Sequence, residues 1–108
     1  MALVIDIPRD ITSDEADLYV EWAIEGYGNG VVAFGLGGYE PGNPPENYAK
    51  QFERVLAEGI PIVPHAGETV GPESIWSALK VCHPVRIGHG VRCIEDDTLV
   101  ALLSDTQI

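Results

Sequence analysis

Apolar residues in this chain fall into two alternating textures: short uninterrupted runs, and longer stretches in which they recur at every third or fourth place. Leu3-Val4-Ile5-Asp6-Ile7 is the first run, apolar on both faces apart from Asp6, and it predicts a buried strand. Thr12 then opens a predicted helix, with Glu15 completing a capping box, and Ala16, Tyr19, Val20, Ala23 and Tyr27 fall on one face. Gly26, Gly28 and Gly30 end it. Val31-Val32-Ala33-Phe34-Gly35-Leu36 is a second buried strand, again without the alternation of a solvated sheet. The helix after Pro44-Pro45 carries Tyr48, Phe52, Val55 and Leu56 inward and stops at Gly59.

The rhythm then repeats. A strand over residues 60–65 leads to a helix over 72–81 with Ile75, Ala78 and Leu79 inward, then a strand over 85–89. A short helix over 96–103 presents Leu99, Leu102 and Leu103, and Thr106-Gln107-Ile108 reads as the beginning of a further strand. Strand, helix, strand, helix with unalternating strands implies parallel pairing, because parallel neighbours need helical crossovers. The fold class is therefore α/β, and two architectures compete: an open doubly wound sheet and a (β/α)8 barrel, of which this chain has about half the length. Glu40, His65 and His89 all fall at or just after the carboxyl ends of different strands, the rim where barrels assemble their sites. No Gly-x-Gly-x-x-Gly leads into a helix. The barrel is preferred, as a partial TIM barrel of about four β/α units making one segment over residues 1–108.

Charge narrows the partners. Six Lys and Arg against seventeen Asp and Glu give a net charge of -11, which excludes a nucleic-acid groove and an anionic membrane surface, since both need clustered cations. No apolar run reaches the ~20 residues that span a membrane, and the first residues lack the basic region of a secretory signal. Cys82 and Cys93 are too few and too far apart for a staple or a Cys-x-x-Cys site, so reduced thiols and a cytoplasmic location are expected.

The most informative stretch is Pro61-Ile62-Val63-Pro64-His65-Ala66-Gly67-Glu68-Thr69, an apolar run that ends on an imidazole and then a carboxylate. Ala66 and Gly67 suit a chain turning sharply out of a sheet, and Gly71-Pro72 suits a helix start. A neutral imidazole is a good zinc ligand, and a nearby carboxylate is a ready acid or base. Glu68 reads equally as a cap of the following helix, and Gly37-Gly38 as a plain turn.

His65-Ala66-Gly67-Glu68, Arg86-Ile87-Gly88-His89-Gly90 and, before them, Gly35-Leu36-Gly37-Gly38-Tyr39-Glu40 together closely resemble the adenosine deaminase family of metal-dependent amidohydrolases. The resemblance runs from about Leu3 onward and keeps the order of the family's motifs. It implies zinc-dependent hydrolytic deamination of adenosine or a related purine, with release of ammonia. By the same resemblance His65 binds the metal, Glu68 passes a proton to the purine ring, His89 holds and polarises the attacking water, and Gly38 lets the purine approach the backbone. Gly35 and Tyr39 stand where the family commonly has two aspartates, which leaves room for another aminopurine, such as aminodeoxyfutalosine. The family's His-x-His and its late Asp-Asp are absent, and Asp96-Asp97 lies in a helical stretch. With one ligand at the expected place, zinc binding by this chain alone is expected to be weak or absent and the chain alone inactive.

A partial barrel has open sheet edges, and edges recruit other chains. A homodimer of non-catalytic half-barrels, or a complementing chain supplying the missing ligands, is the alternative reading. The remaining polar residues read as structural. Asp6 and Arg9 are predicted to pair, Arg86 to buttress the sheet through a carboxylate, Glu40 to be solvated or structural, and His83 to lie at the surface. Cys82 is predicted to be buried and Cys93 to be a loop thiol. Trp22 and Trp76 are predicted to pack on their helices.

Overall fold

A computed structural model describes residues 1–108. Its elements are β1 (Leu3–Pro8), α1 (Ser13–Gly26), β2 (Val31–Gly37), a 3-10 turn (Pro45–Tyr48) running into α2 (Ala49–Ala57), β3 (His65–Ala66), α3 (Pro72–Cys82), β4 (Gly88–His89), a second 3-10 turn (Val91–Glu95) and α4 (Asp97–Thr106). β1 pairs with β2 in parallel, with Asp6 opposite Gly35, and β3 pairs with β4 in parallel, with His65 opposite Gly88. The two ladders join through a parallel bridge between Phe34 and Ile62. The spatial order is thus that of the chain, an arc of four parallel strands with helices on its outer side.

Strands β3 and β4 are much shorter than the runs 60–65 and 85–89 that were predicted. Pro61 and Pro64 have no N–H to donate, so the third strand cannot form a continuous ladder with either neighbour. The residues between them still pair singly: Phe34 N–H donates to the Pro61 carbonyl, Val63 N–H to that of Phe34, and Val85 N–H to that of Ile62.

The capping box forms as predicted, with Thr12 Oγ1 accepting from Glu15 N–H and Glu15 accepting from Thr12 N–H. Tyr27 is not on the inner face of α1; it follows the helix and is 40% exposed. Ile7, Val20, Phe34, Leu36, Phe52, Val55, Ile60 and Ile62 make the larger core between sheet and helices. Fully burying a side chain of this size is worth about 1.5–3 kcal/mol. Ala66, Ile75, Ala78 and Leu99 make a smaller core under β3 and β4.

The end of the chain corrects the sequence reading. Thr106 is the last residue of α4, Gln107 caps it in the left-handed conformation, and Ile108 N–H returns to the Leu103 carbonyl. Thr106 and Gln107 therefore belong to a helix C-terminus and its cap, not to a strand. Asp96 is the N-cap of α4, accepting from Leu99 N–H and from the Trp76 indole. Trp76 thus packs between α3 and α4, whereas Trp22 is 52% exposed and stacks edge-on against Tyr19. No helix is long and apolar enough to cross a membrane.

Candidate active site

His65 is placed by the glycines beside it. A Cβ on Gly88 would lie 3.0 Å from His65 Nδ1, and one on Gly37 would lie 3.6 Å from His65 Cδ2. Neither glycine has a positive φ, so what matters at these positions is space for the imidazole between its two neighbouring strands. Gly67 is different. Its φ of +72° turns the chain out of the sheet, and a Cβ there would run into Ile75. The turn brings Glu68 back over the rim.

His89 meets it from the next strand. His89 has a φ of 64°, uncommon for a residue with a side chain, and Gly90 follows at the same angle. This bend aims the imidazole at the rim, where Nε2 stands 3.3 Å from Glu68 Oε2 and the ring centroid 5.0 Å from that of His65. Glu68 and both histidines are partly exposed, so a solute can reach all three. The structure therefore brings His65, Glu68 and His89 together. Gly38 follows β2 directly, exposed, with a φ of +102°, and a Cβ there would stand 3.5 Å from the Arg9 backbone nitrogen.

Asp6 and Arg9 do not pair with each other. Asp6 Oδ2 lies 3.7 Å from His65 Nε2, and Asp6 Oδ1 is buried with no hydrogen-bond partner. Burial raises the Asp6 pKa above its ordinary value, and the charge of His65 partly opposes that. Arg9 is 2% exposed and donates to the His65 and Asn43 carbonyls. Arg86 is exposed and forms no ion pair with a carboxylate, so it does not buttress the sheet in the way the sequence predicts. His83 is an exposed left-handed cap of α3. Cys82 is buried, which pushes its thiol up to about 12, while Cys93 is half-buried within the second 3-10 turn.

Of the two readings of Glu40, solvated or structural, the structure favours the structural one. Glu40 is 7% exposed, and its carboxylate accepts from the backbone N–H of Gly67 at 2.8 Å, Glu68 at 3.2 Å, Thr69 at 2.9 Å and Val70 at 3.0 Å, and from the Ser74 hydroxyl. Burial alone would raise its pKa, but the bonds from Ser74, Val70, Thr69 and Gly67 outweigh that and hold it down at about 2. The only available signal was its place at a strand end, two residues after Gly38.

No three His, Cys, Asp or Glu side chains converge as a metal centre would require. His65 and Asp6 offer one imidazole and one carboxylate, whereas a catalytic zinc takes three protein donors. The chain alone therefore fits part of a zinc donor set and not a complete one.

The family model for adenosine deaminase matches residues 5–108. The adenine deaminase of Chlorobium phaeobacteroides is 41% identical over 106 residues, covering 98% of this chain and 31% of that protein. The aminodeoxyfutalosine deaminase of Streptomyces avermitilis is 41% identical over 105 residues, covering 95% of this chain and 29% of that protein. Among solved structures, the adenine deaminase of Arthrobacter aurescens superposes with a TM-score of 0.85 at 32% identity, covering 99% of this chain and 32% of that one. An amidohydrolase from Burkholderia ambifaria with bound zinc reaches 0.89 at 27% identity, covering 96% and 29%. These neighbours are barrel deaminases and hydrolases, and the arc of parallel β/α units seen here is a part of that barrel. A match that runs from the first strand through the last helix makes this chain a member of the adenosine deaminase family, spanning about a third of the length of the relatives it matches.

Proposed function

We propose that this chain is the segment of a purine deaminase that carries the proton-transferring carboxylate, and that adenine or a related aminopurine is the substrate. The observation that carries this reading is the convergence of Glu68 and His89, at 3.3 Å, beside the His65 ring. Removing an exocyclic amine by water needs a proton delivered to the ring and a water held against the carbon. In this reading Glu68 delivers the proton to the purine ring nitrogen, and His89 orients and polarises the water. Gly38, lacking a side chain, lets the purine edge approach the backbone of β2. His65 supplies one imidazole to a zinc whose other ligands come from outside these residues. The chemistry such an ion supplies is a water acidic enough to be hydroxide near neutral pH. Adenine is favoured by relatives from several bacteria, and aminodeoxyfutalosine follows from the Streptomyces relative at equal identity.

The test is a chimera in which this chain replaces the corresponding third of the Chlorobium relative. Ammonia released from adenine, with zinc retained, is the expected result. A folded, zinc-loaded chimera that deaminates neither adenine nor aminodeoxyfutalosine would overturn the reading.

A second reading is favoured by the apolar residues that the open sheet leaves uncovered, with Val4 48%, Val32 48% and Val85 51% exposed. Here the half-barrel pairs with a second copy or with a complementing chain. Sedimentation of the chain alone decides it: a monomer at all concentrations removes the self-paired form.

A further inference from the structure

We propose that Arg9 and Glu40 form a two-point clamp that sets where Glu68 stands relative to His65, which makes both of them positioning residues; the inference rests on the role of Glu68 proposed above. They are the two charged side chains buried in the molecule, at 2% and 7% exposure, and they come from the loops after β1 and β2. Arg9 grips the start of the segment by donating to the His65 carbonyl. Glu40 grips its end, accepting from four consecutive amides, Gly67 to Val70. Between the two grips lies only Ala66.

The two loops are also tied to each other. Arg9 donates from Nη1 to the Asn43 carbonyl at 2.6 Å, and the Asn43 side chain donates to the Tyr39 carbonyl at 2.9 Å. The carboxylate and the guanidinium thus belong to one buried tier of opposite charge beneath the rim.

An ordinary helix cap does not explain the arrangement. The first turn of α3 begins at Pro72, and its N-cap, Gly71, has no side-chain partner. Only the Ser74 hydroxyl bond reaches into the helix, while the four amides precede it and belong to the loop that carries Glu68. A run of converging amides of this kind is the arrangement that proteins use to hold an anion, and here the anion is the protein's own. Burying a carboxylate costs several kcal/mol unless it is fully hydrogen-bonded, so the loop is held in the one conformation that satisfies Glu40.

The test is made by NMR on the full chain, with Glu40→Gln. Amide hydrogen exchange at residues 67–70 should accelerate by about tenfold or more while exchange in β1, β2 and α1 stays unchanged. The nuclear Overhauser contact between the Glu68 γ-protons and the His89 ring should disappear. A lower melting temperature with that contact and those four amides unchanged would overturn the clamp, leaving Glu40 a stabilising residue only. Where Glu40→Gln does not fold, Arg9→Lys serves: it keeps the charge but loses the fork, and an undiminished Glu68–His89 contact would overturn the proposal. In the chimera described above, Glu40→Gln should lower kcat by about 10–100-fold with KM within about threefold. A folded, zinc-loaded unmutated chimera without activity overturns the deaminase reading, whereas an active one, with the NMR contacts unchanged by Glu40→Gln, overturns the clamp alone.

Discussion

Asp6 Oδ2 lies 3.7 Å from His65 Nε2, and it can lie there because the residue opposite Asp6 in the sheet is Gly35. A Cβ at position 35 would collide with Asp6 Oδ1 and come within 2.7 Å of the Val63 carbonyl oxygen. The resemblance to the deaminases expects an aspartate at position 35, and here the neighbouring strand's carboxylate fills that space instead.

Gly35→Ala is therefore expected to destabilise the chain by about 2–4 kcal/mol, through overpacking against a carboxylate and a carbonyl. Urea unfolding of the single variants and of the Asp6→Ala/Gly35→Ala pair measures the coupling. A recovery of about 1 kcal/mol or more in the double variant assigns part of the clash to Asp6. Additivity within about 0.5 kcal/mol would assign all of it to the Val63 carbonyl.

Gly67 is constrained by conformation as well as by space. At a φ of +72°, with Ile75 Cγ1 2.7 Å from an added Cβ, Gly67→Ala combines backbone strain with a core collision. A loss of about 2–4 kcal/mol is expected, with the largest chemical-shift changes at Glu68 to Val70. A loss under about 0.5 kcal/mol would mean that the turn relaxes freely and holds Glu68 only loosely.

Glu40 predicts an acid-side stability profile. Its folded pKa of about 2 lies below the value near 4.3 of an unfolded glutamate, so its stabilisation is fully present above about pH 5. As pH falls through the window from about 4 to 2, the folded state must give up the hydrogen-bonded carboxylate, and up to roughly 3 kcal/mol is lost. Thermal unfolding followed from pH 6 to pH 2 should show this fall, and Glu40→Gln should flatten it. An equally steep acid transition in the variant would place the linkage on other carboxylates.

The tie between loop and helix at Tyr48 is testable in the same way. Its hydroxyl lies 2.7 Å from the Ile11 carbonyl and 3.0 Å from that of Arg9, and it fixes the loop from which Arg9 emerges. Tyr48→Phe should cost about 1–2 kcal/mol, because buried carbonyls lose their donor while the ring keeps its packing. The accompanying sign of a displaced Arg9 would be faster exchange at residues 67–70.

The pattern of the sequence carried most of the fold. Unalternating apolar runs separated by helical spacing predict parallel β/α units, and Phe34, Phe52, Val55 and Ile75 are buried as that spacing requires. What escaped it were features set by contacts distant in sequence. The prolines at 61 and 64 interrupt the pairing of the third strand with both neighbours without disturbing the apolar pattern, so the predicted strand is too long there. The three residues brought together at the rim were legible because each sits at a strand end in a recognisable motif. Glu40 and Arg9 were not, since a charged side chain in a loop looks solvated until the amides it bonds, about thirty residues away in the case of Glu40, are folded against it. Asp6 was assigned to Arg9 by proximity in sequence, although the neighbour that matters, His65, comes from another strand.

Glu68 separates function from stability. Its side chain is 55% exposed and its contact is with His89, while the loop that carries it is held by Glu40, which accepts from the amides of residues 67–70 and from the Ser74 hydroxyl. Glu68→Gln keeps the volume and removes the acid, so the melting temperature should move by no more than about 2 °C, as for an exposed polar substitution. In the chimera the same change should lower kcat by about 100-fold or more, the scale on which a positioned general acid contributes. The two readouts must part company for Glu68 to be the proton donor. Full activity in the variant would move that role to another group, and the nearest on the rim is His89, 3.3 Å away.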